Sequence, residues 1–252
     1  MSDFDRNYAA TRRGFGADRA IAVDQGLRAY MLRVYNYMAM GVALTGVVAW
    51  VTFNAAVTET AGRLALTPFG QALYSGPATI VLFLGTLGMV FLISWRVDRL
   101  QPSTALALFL AYAGLLGLML SSIFLVYTGV SITRVFFISA AAFGALSLYG
   151  YTTQRDLSAF GSFLVMGLFG LIIAMLVNMF LRSTQMDFVI SAAGVLIFAG
   201  LTAWDTQKIK EMFDPTEDGT LVGRKAVMGA LTLYLDFINL FMFLLRFLGD
   251  RR

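Results

Sequence analysis

The sequence contains no cysteine and no histidine, and charged residues make up only 13% of its 252 positions. Without those two side chains, zinc sites, haem attachment, disulfides, thiol nucleophiles and histidine-based acid–base catalysis are excluded. A soluble domain usually carries roughly 25% charged residues. With 58% hydrophobic residues the chain would be insoluble if folded in water, so soluble enzymes and nucleic-acid binders are poor candidates. The first 30 or so residues are polar and lack an apolar core, so no cleaved signal peptide is expected.

What is present is a series of apolar blocks of about 20 residues, the length needed to cross roughly 30 Å of hydrocarbon as a helix. Residues 1–29 read as a flexible cytoplasmic arm, and 30–252 as a single membrane domain of seven helices. The expected spans are 32–54, 77–95, 103–127, 132–152, 158–181, 187–210 and 226–248. The stretch 55–76, with Glu59, Arg63 and Pro68, reads as an extended external connection. The polar sequence EMFDPTEDGTLVGRK reads as a loop before the last span.

The net charge of +4 raises the question of an anionic partner. Six arginines (Arg6, Arg12, Arg13, Arg19, Arg28, Arg33) precede or open the first span without interleaved stacking aromatics, which is an orientation signal more than a nucleic-acid face. If the N-terminus is cytoplasmic, thirteen of the nineteen Lys and Arg residues fall on the cytoplasmic side, so the positive-inside rule favours that orientation. Arg251 and Arg252 pull the other way, leaving open a last segment that re-enters and returns.

Two residues contradict their surroundings. The sixth span contains Asp205 and the seventh contains Asp236. An ionised carboxylate in hydrocarbon costs at least about 2.5 to 3.5 kcal/mol on insertion scales, so each needs a partner, a proton or water. Adjacent antiparallel helices usually pack together, and the rise per residue puts both aspartates in the cytoplasmic half. Two carboxylates in one apolar site cannot both ionise cheaply and should share a proton over part of the physiological range. Protonated, such a pair locks two helices; ionised, it leaves repulsion that opening or a cation relieves. Ca²⁺, a hard ion that prefers carboxylate oxygen, fits as guest. The bland reading pairs Asp205 with Lys208 at the interface and Asp236 with Asn239. Arg246 reads as an interfacial anchor, Asn178 as an interhelical hydrogen-bonding residue, and the glycines of the fifth and sixth spans as helix-packing positions.

The stretches AGLTAWDTQKIK (199–210) and LTLYLDFINLFMFLLRFLG (231–249) resemble the Bax inhibitor-one family, or transmembrane Bax inhibitor motif proteins. Residues 154–180 and the N-terminal LRVYNYMAMGVALTG support the resemblance. It implies an all-α integral membrane protein with six helices around the last one. It also implies a calcium leak gated by two aspartates at the positions of Asp205 and Asp236. An arginine ending the second helix latches the sixth-helix aspartate in that family; counting back from Gly117 favours Arg99, with Arg96 the alternative. The short polar head is similar to the bacterial branch, implying an inner membrane. No cofactor is implied, with Ca²⁺ and protons as passing or bound ions and membrane lipid, or a membrane protein, as partner.

Three rival functions share these residues. An intramembrane aspartyl protease needs two aspartates, but the Gly-x-Gly-Asp mark is missing, since Leu233, Tyr234 and Leu235 precede Asp236; the expectation is no enzyme. A regulator of membrane proteases or stress responses needs no transport. A proton-coupled calcium exchanger uses the same carboxylates.

Overall fold

A computed structural model describes residues 3–60, 63–96 and 99–252, with side chains described from Val23 onward except at 60–63 and 97–98. Nine helices and one hairpin are present among the described residues: α1 (Asp3–Ala56), β1 (Val57–Thr60), β2 (Arg63–Leu66), α2 (Pro68–Leu73), α3 (Gly76–Arg96), α4 (Pro102–Leu120), α5 (Ile123–Val126), α6 (Gly129–Thr152), α7 (Ser158–Leu181), α8 (Thr184–Glu211) and α9 (Gly219–Leu248). Seven spans are long and apolar enough to cross a bilayer, α4 and α5 together making one of them. The protein is therefore an all-α integral membrane protein, as the apolar blocks predict. The side chains of Arg6, Arg12, Arg13 and Arg19, which contribute to the orientation argument, lie outside the described residues.

Helix boundaries follow from caps and prolines. Pro68, Pro77 and Pro102 all lie in first turns, where a missing N–H costs nothing. Thr67, Thr128, Ser183 and Asp218 each precede a helix and accept a hydrogen bond from a backbone N–H of its first turn. At the α7–α8 corner, Arg182 takes a left-handed conformation (φ 50°), which turns the chain within two residues.

Four boundaries differ from the sequence expectation. The first helix begins at Asp3 rather than near 32. The connection after α1 is not extended: β1 and β2 pair antiparallel, Val57 opposite Leu66, and α2 packs back on the end of α1, where Gly70 lies so close to the Ala56 carbonyl that a Cβ would sit 2.1 Å from its oxygen. The third span breaks at Ser121 and Ser122, whose hydroxyls donate back to the Leu118 and Met119 carbonyls. Finally, α9 starts at Gly219 rather than near 226, because Asp218 caps it. Half of the expected polar loop is thus helix.

The last helix is the core. Of its apolar stretch 72% is buried, more than in any other span, and it packs chiefly against α1, α4, α6 and α8. The remaining spans form a second ring, α3 behind α4 and α7 behind α8. Their outward faces are apolar, as Phe163, Phe169 and Phe180 show on α7, and suit contact with lipid. At 30 residues α9 is about 45 Å long, enough to cross the bilayer in full. After it the chain does not re-enter. Arg251 bridges Tyr127, the Arg252 amide donates to the Val126 carbonyl, and Asp250 is ion-paired with Arg134 at 2.9 Å.

Small residues set the spacing between α6, α7, α8 and α9. A Cβ on Gly150 would sit 2.1 Å from the Ala203 carbonyl oxygen, and one on Gly161 would enter the Trp204 ring. Gly200 sits against Leu164, whereas Gly170 faces open space, so only some of the small positions are packing contacts.

Candidate functional site

Helices α8 and α9 run antiparallel at close range. Gly229 lies against Ile209, and Gly194 against the ring of Phe243. Between these two contacts the register brings Asp205 and Asp236 to face one another, near enough for their carboxyl groups to interact. Asp205 is 9% and Asp236 5% exposed, so both are buried.

Among the described residues, the surroundings lack the two contacts that the bland reading expects. Asn239 does not serve Asp236; its side-chain amide donates to the Leu235 carbonyl. Lys208 acts on Asp205 through space, with its ammonium 5.1 Å from the centre of the Trp204 ring, but forms no close ion pair with it among the described residues. Asp236 Oδ2 is buried and receives no hydrogen bond from any described donor. Two ionised carboxylates offer acceptors only. A hydrogen bond between them therefore requires a proton on one of them.

Arg96 and Arg99 are both exposed, and neither is bonded to either aspartate among the described residues. The structure accordingly has the pair without a latch. The turn that carries Arg99 is itself held from the core: Arg224 Nε donates to the Leu100 carbonyl at 2.6 Å, and Gly223 abuts Pro102. These contacts use the first turns of α9, which sequence reading had assigned to a loop. The Asp218 cap was the signal that could have revealed them.

A cavity of about 900 Å³ opens beside the pair, between α4, α7, α8 and α9. Asp205 and Asp236 line it, as do Thr232 and Asn239, and it extends along α9 to Arg246 and Arg251. Its walls are mostly Leu, Met and Phe, and α4 and α7 are not packed together along their lengths. A field this apolar strengthens the interactions of any charge inside it.

Two buried networks escaped sequence reading. Thr45 Oγ1 lies 2.6 Å from the Tyr234 hydroxyl and 2.9 Å from the carbonyls of Gly41 and Ala113, pinning α1, α4 and α9. Ser147 connects Tyr35 and Thr206, joining α1, α6 and α8. Hydroxyls this far apart in sequence leave no local pattern. Asn178 does make the expected interhelical bond, donating to Asp187 at 2.8 Å.

The fold and site define a class: an all-α membrane protein whose last two helices carry an aspartate pair buried against a cavity. Residues 27–252 match the family described as inhibitor of apoptosis-promoting Bax1, and the chain belongs to that family, as its last two spans indicate. It is 48% identical to the uncharacterized protein RP147 of Rickettsia prowazekii over 91% of this chain and 92% of that one. It is 42% identical to the inner membrane protein YbhL of Escherichia coli K12, covering 94% of this chain and 97% of YbhL. A Caulobacter vibrioides protein is 42% identical over the whole of both chains.

Proposed function

We propose that this protein is a pH-sensitive, calcium-permeable leak channel of the bacterial inner membrane, with a cytoplasmic N-terminus and with Asp205 and Asp236 as its gate. One observation carries the reading: two buried carboxyl groups that α8 and α9 bring to face one another, with Asp236 Oδ2 lacking any described donor, beside a cavity of about 900 Å³. Such a pair must hold a proton or a cation. Proton loss leaves two adjacent negative charges, which either a fixed cation or a passing one relieves. Arg99, or Arg96, is the fixed cation in a latched state.

Calcium is the substrate of this passage rather than a resident ligand. It takes six to eight oxygens, and no cluster of three acidic side chains exists among the described residues. Water would complete its shell, which favours transit over retention. No catalytic reaction is assigned to the chain; the aspartates serve as proton carriers and oxygen ligands.

We assign the titration between about pH 6 and 8 to this pair, whose burial disfavours two charges. The chain has no histidine or cysteine. Outside the membrane spans, Asp156 is held below the usual carboxylate range by the hydroxyl and amide of Ser158, and Asp214 by those of Thr216. Both are ionised well below pH 6. The other basic groups near the pair or along the cavity are Lys208, Arg246 and Arg251.

The test is calcium flux into liposomes holding a trapped dye. Wild-type protein should conduct, with a leak that changes between about pH 6 and 8, and either Asp205→Asn or Asp236→Asn should flatten that change. Absence of flux at every pH would reject the channel, and uphill uptake driven by an imposed pH difference would make the protein an exchanger.

A further inference from the structure

The end of the cavity remote from the aspartates is built differently. Ten residues along α9, about 15 Å at the helical rise, Arg246 lines it, joined by Arg251 from the C-terminal tail. The tail is fixed by backbone bonds: the Arg251–Tyr127 bridge, the Arg252 amide on the Val126 carbonyl, and the Thr128 amide on the Asp250 carbonyl at 3.2 Å. Arg251 is thus delivered to the mouth by an anchored strand rather than by a loose terminus. Neither guanidinium has a hydrogen bond or ion pair among the described residues. The acids at this end are engaged elsewhere, Asp250 with Arg134 and Asp187 with Asn178.

The mouth therefore presents two cations at the rim of a deep apolar slot. The slot is flanked by Val126 and Ile172, both of which line it and are also exposed on the outer surface, where α4 and α7 part. Simple anions would gain only the charge contacts. A molecule with a phosphate at one end and a hydrocarbon chain at the other would satisfy both halves of the site, and the bilayer outside supplies it.

We propose that Arg246 and Arg251 bind the phosphate of an anionic phospholipid whose acyl chain enters the cavity between α4 and α7. This site concerns binding and stands whether or not the cavity conducts. Its occupant would offset two positive charges that otherwise oppose a cation at this mouth.

The experiment uses full-length protein taken from vesicles of phosphatidylethanolamine and phosphatidylglycerol, with retained lipid read by native mass spectrometry. Wild type should carry phosphatidylglycerol in preference to phosphatidylethanolamine. Combining Arg246→Gln with Arg251→Gln should lower retention by about tenfold, as expected for the loss of charge-assisted contacts. Leu168→Trp, which fills the slot and keeps both arginines, should lower it as well. Arg182→Asn removes a cation elsewhere on the same end of the molecule and should leave retention unchanged. Equal retention of both lipids, displacement by inorganic phosphate alone, or an equal loss in Arg182→Asn would overturn the proposal. Circular dichroism of each variant separates loss of the site from loss of the fold.

Discussion

Tyr234 and Asp236 stand two residues apart on the most buried helix of the protein, yet their polar atoms are treated in opposite ways. The Tyr234 hydroxyl is 0% exposed with its residue and meets Thr45 at 2.6 Å, in a network that also engages two carbonyls of α1 and α4. Its ring is flanked edge-on by Phe109 and Tyr112. Asp236 faces the other way, toward α8 and the cavity, and one of its oxygens has no described donor. A satisfied buried network fixes one packing arrangement. A group left short of partners depends on a proton or ion that can come and go, so in the proposed gate the side toward α1 and α4 is scaffold and the side toward α8 is the moving part.

The largest effect expected from that contrast is functional. Asp205→Asn or Asp236→Asn should reduce the ratio of calcium leak at pH 6 and pH 8 to about one, while Tyr234→Phe should leave the ratio as in wild type. A pH profile altered by Tyr234→Phe and untouched by the aspartate variants would reverse the assignment.

Stability should show the opposite ranking. Truncating a buried aromatic costs about 3 to 5 kcal/mol, so Tyr234→Ala should lower the melting temperature severely. Tyr234→Phe removes the hydroxyl alone and should cost about 1 kcal/mol. Replacing both aspartates together, Asp205→Leu with Asp236→Leu, should leave thermal stability equal or higher, because exchanging both members of a buried polar pair for apolar groups can be neutral or stabilising. Melting curves in one detergent would test all three.

A smaller effect concerns the latch. Arg99→Gln should raise leak at pH 8, where the ionised pair most needs a fixed cation, and Arg96→Gln should leave it unchanged. The reverse result would move the role to Arg96.

The smallest lies outside the bilayer. Asp214 accepts from the hydroxyl and amide of Thr216, at 2.6 and 2.8 Å, and is held low. A carboxylate with a depressed folded pKa contributes stability that is present above its unfolded pKa and lost as pH falls through the folded one. Thr216→Ala should therefore move the Asp214 titration upward toward the ordinary carboxylate value in carbon-detected NMR, with no change in leak between pH 6 and 8.

The seven spans were legible because bilayer thickness imposes a run length that few other structures require. Asp205 and Asp236 were legible for the complementary reason, as charges in runs that should have none, and their adjacency followed from a short antiparallel connection. What the sequence concealed was held by weak or distant signals. The hairpin of β1 and β2 has strands of four residues, too short for a hydrophobic period to register. The bond between Thr45 and Tyr234 spans 189 positions and uses residues common in apolar segments. The early start of α9 depended on one capping aspartate within a run of polar residues, and with it went the link from Arg224 to Leu100. The C-terminal strap is made largely of backbone bonds, to which side-chain patterns are blind.

The proton that the proposed gate requires is tested directly by infrared difference spectroscopy on protein labelled with carbon-13 aspartate, in bilayers at pH 7. A protonated aspartate carboxyl band should be present in wild type and in Tyr234→Phe, and absent when Asp205→Asn and Asp236→Asn are combined. Wild-type protein with only ionised aspartate at that pH, or a band that survives the double substitution, would contradict the gate.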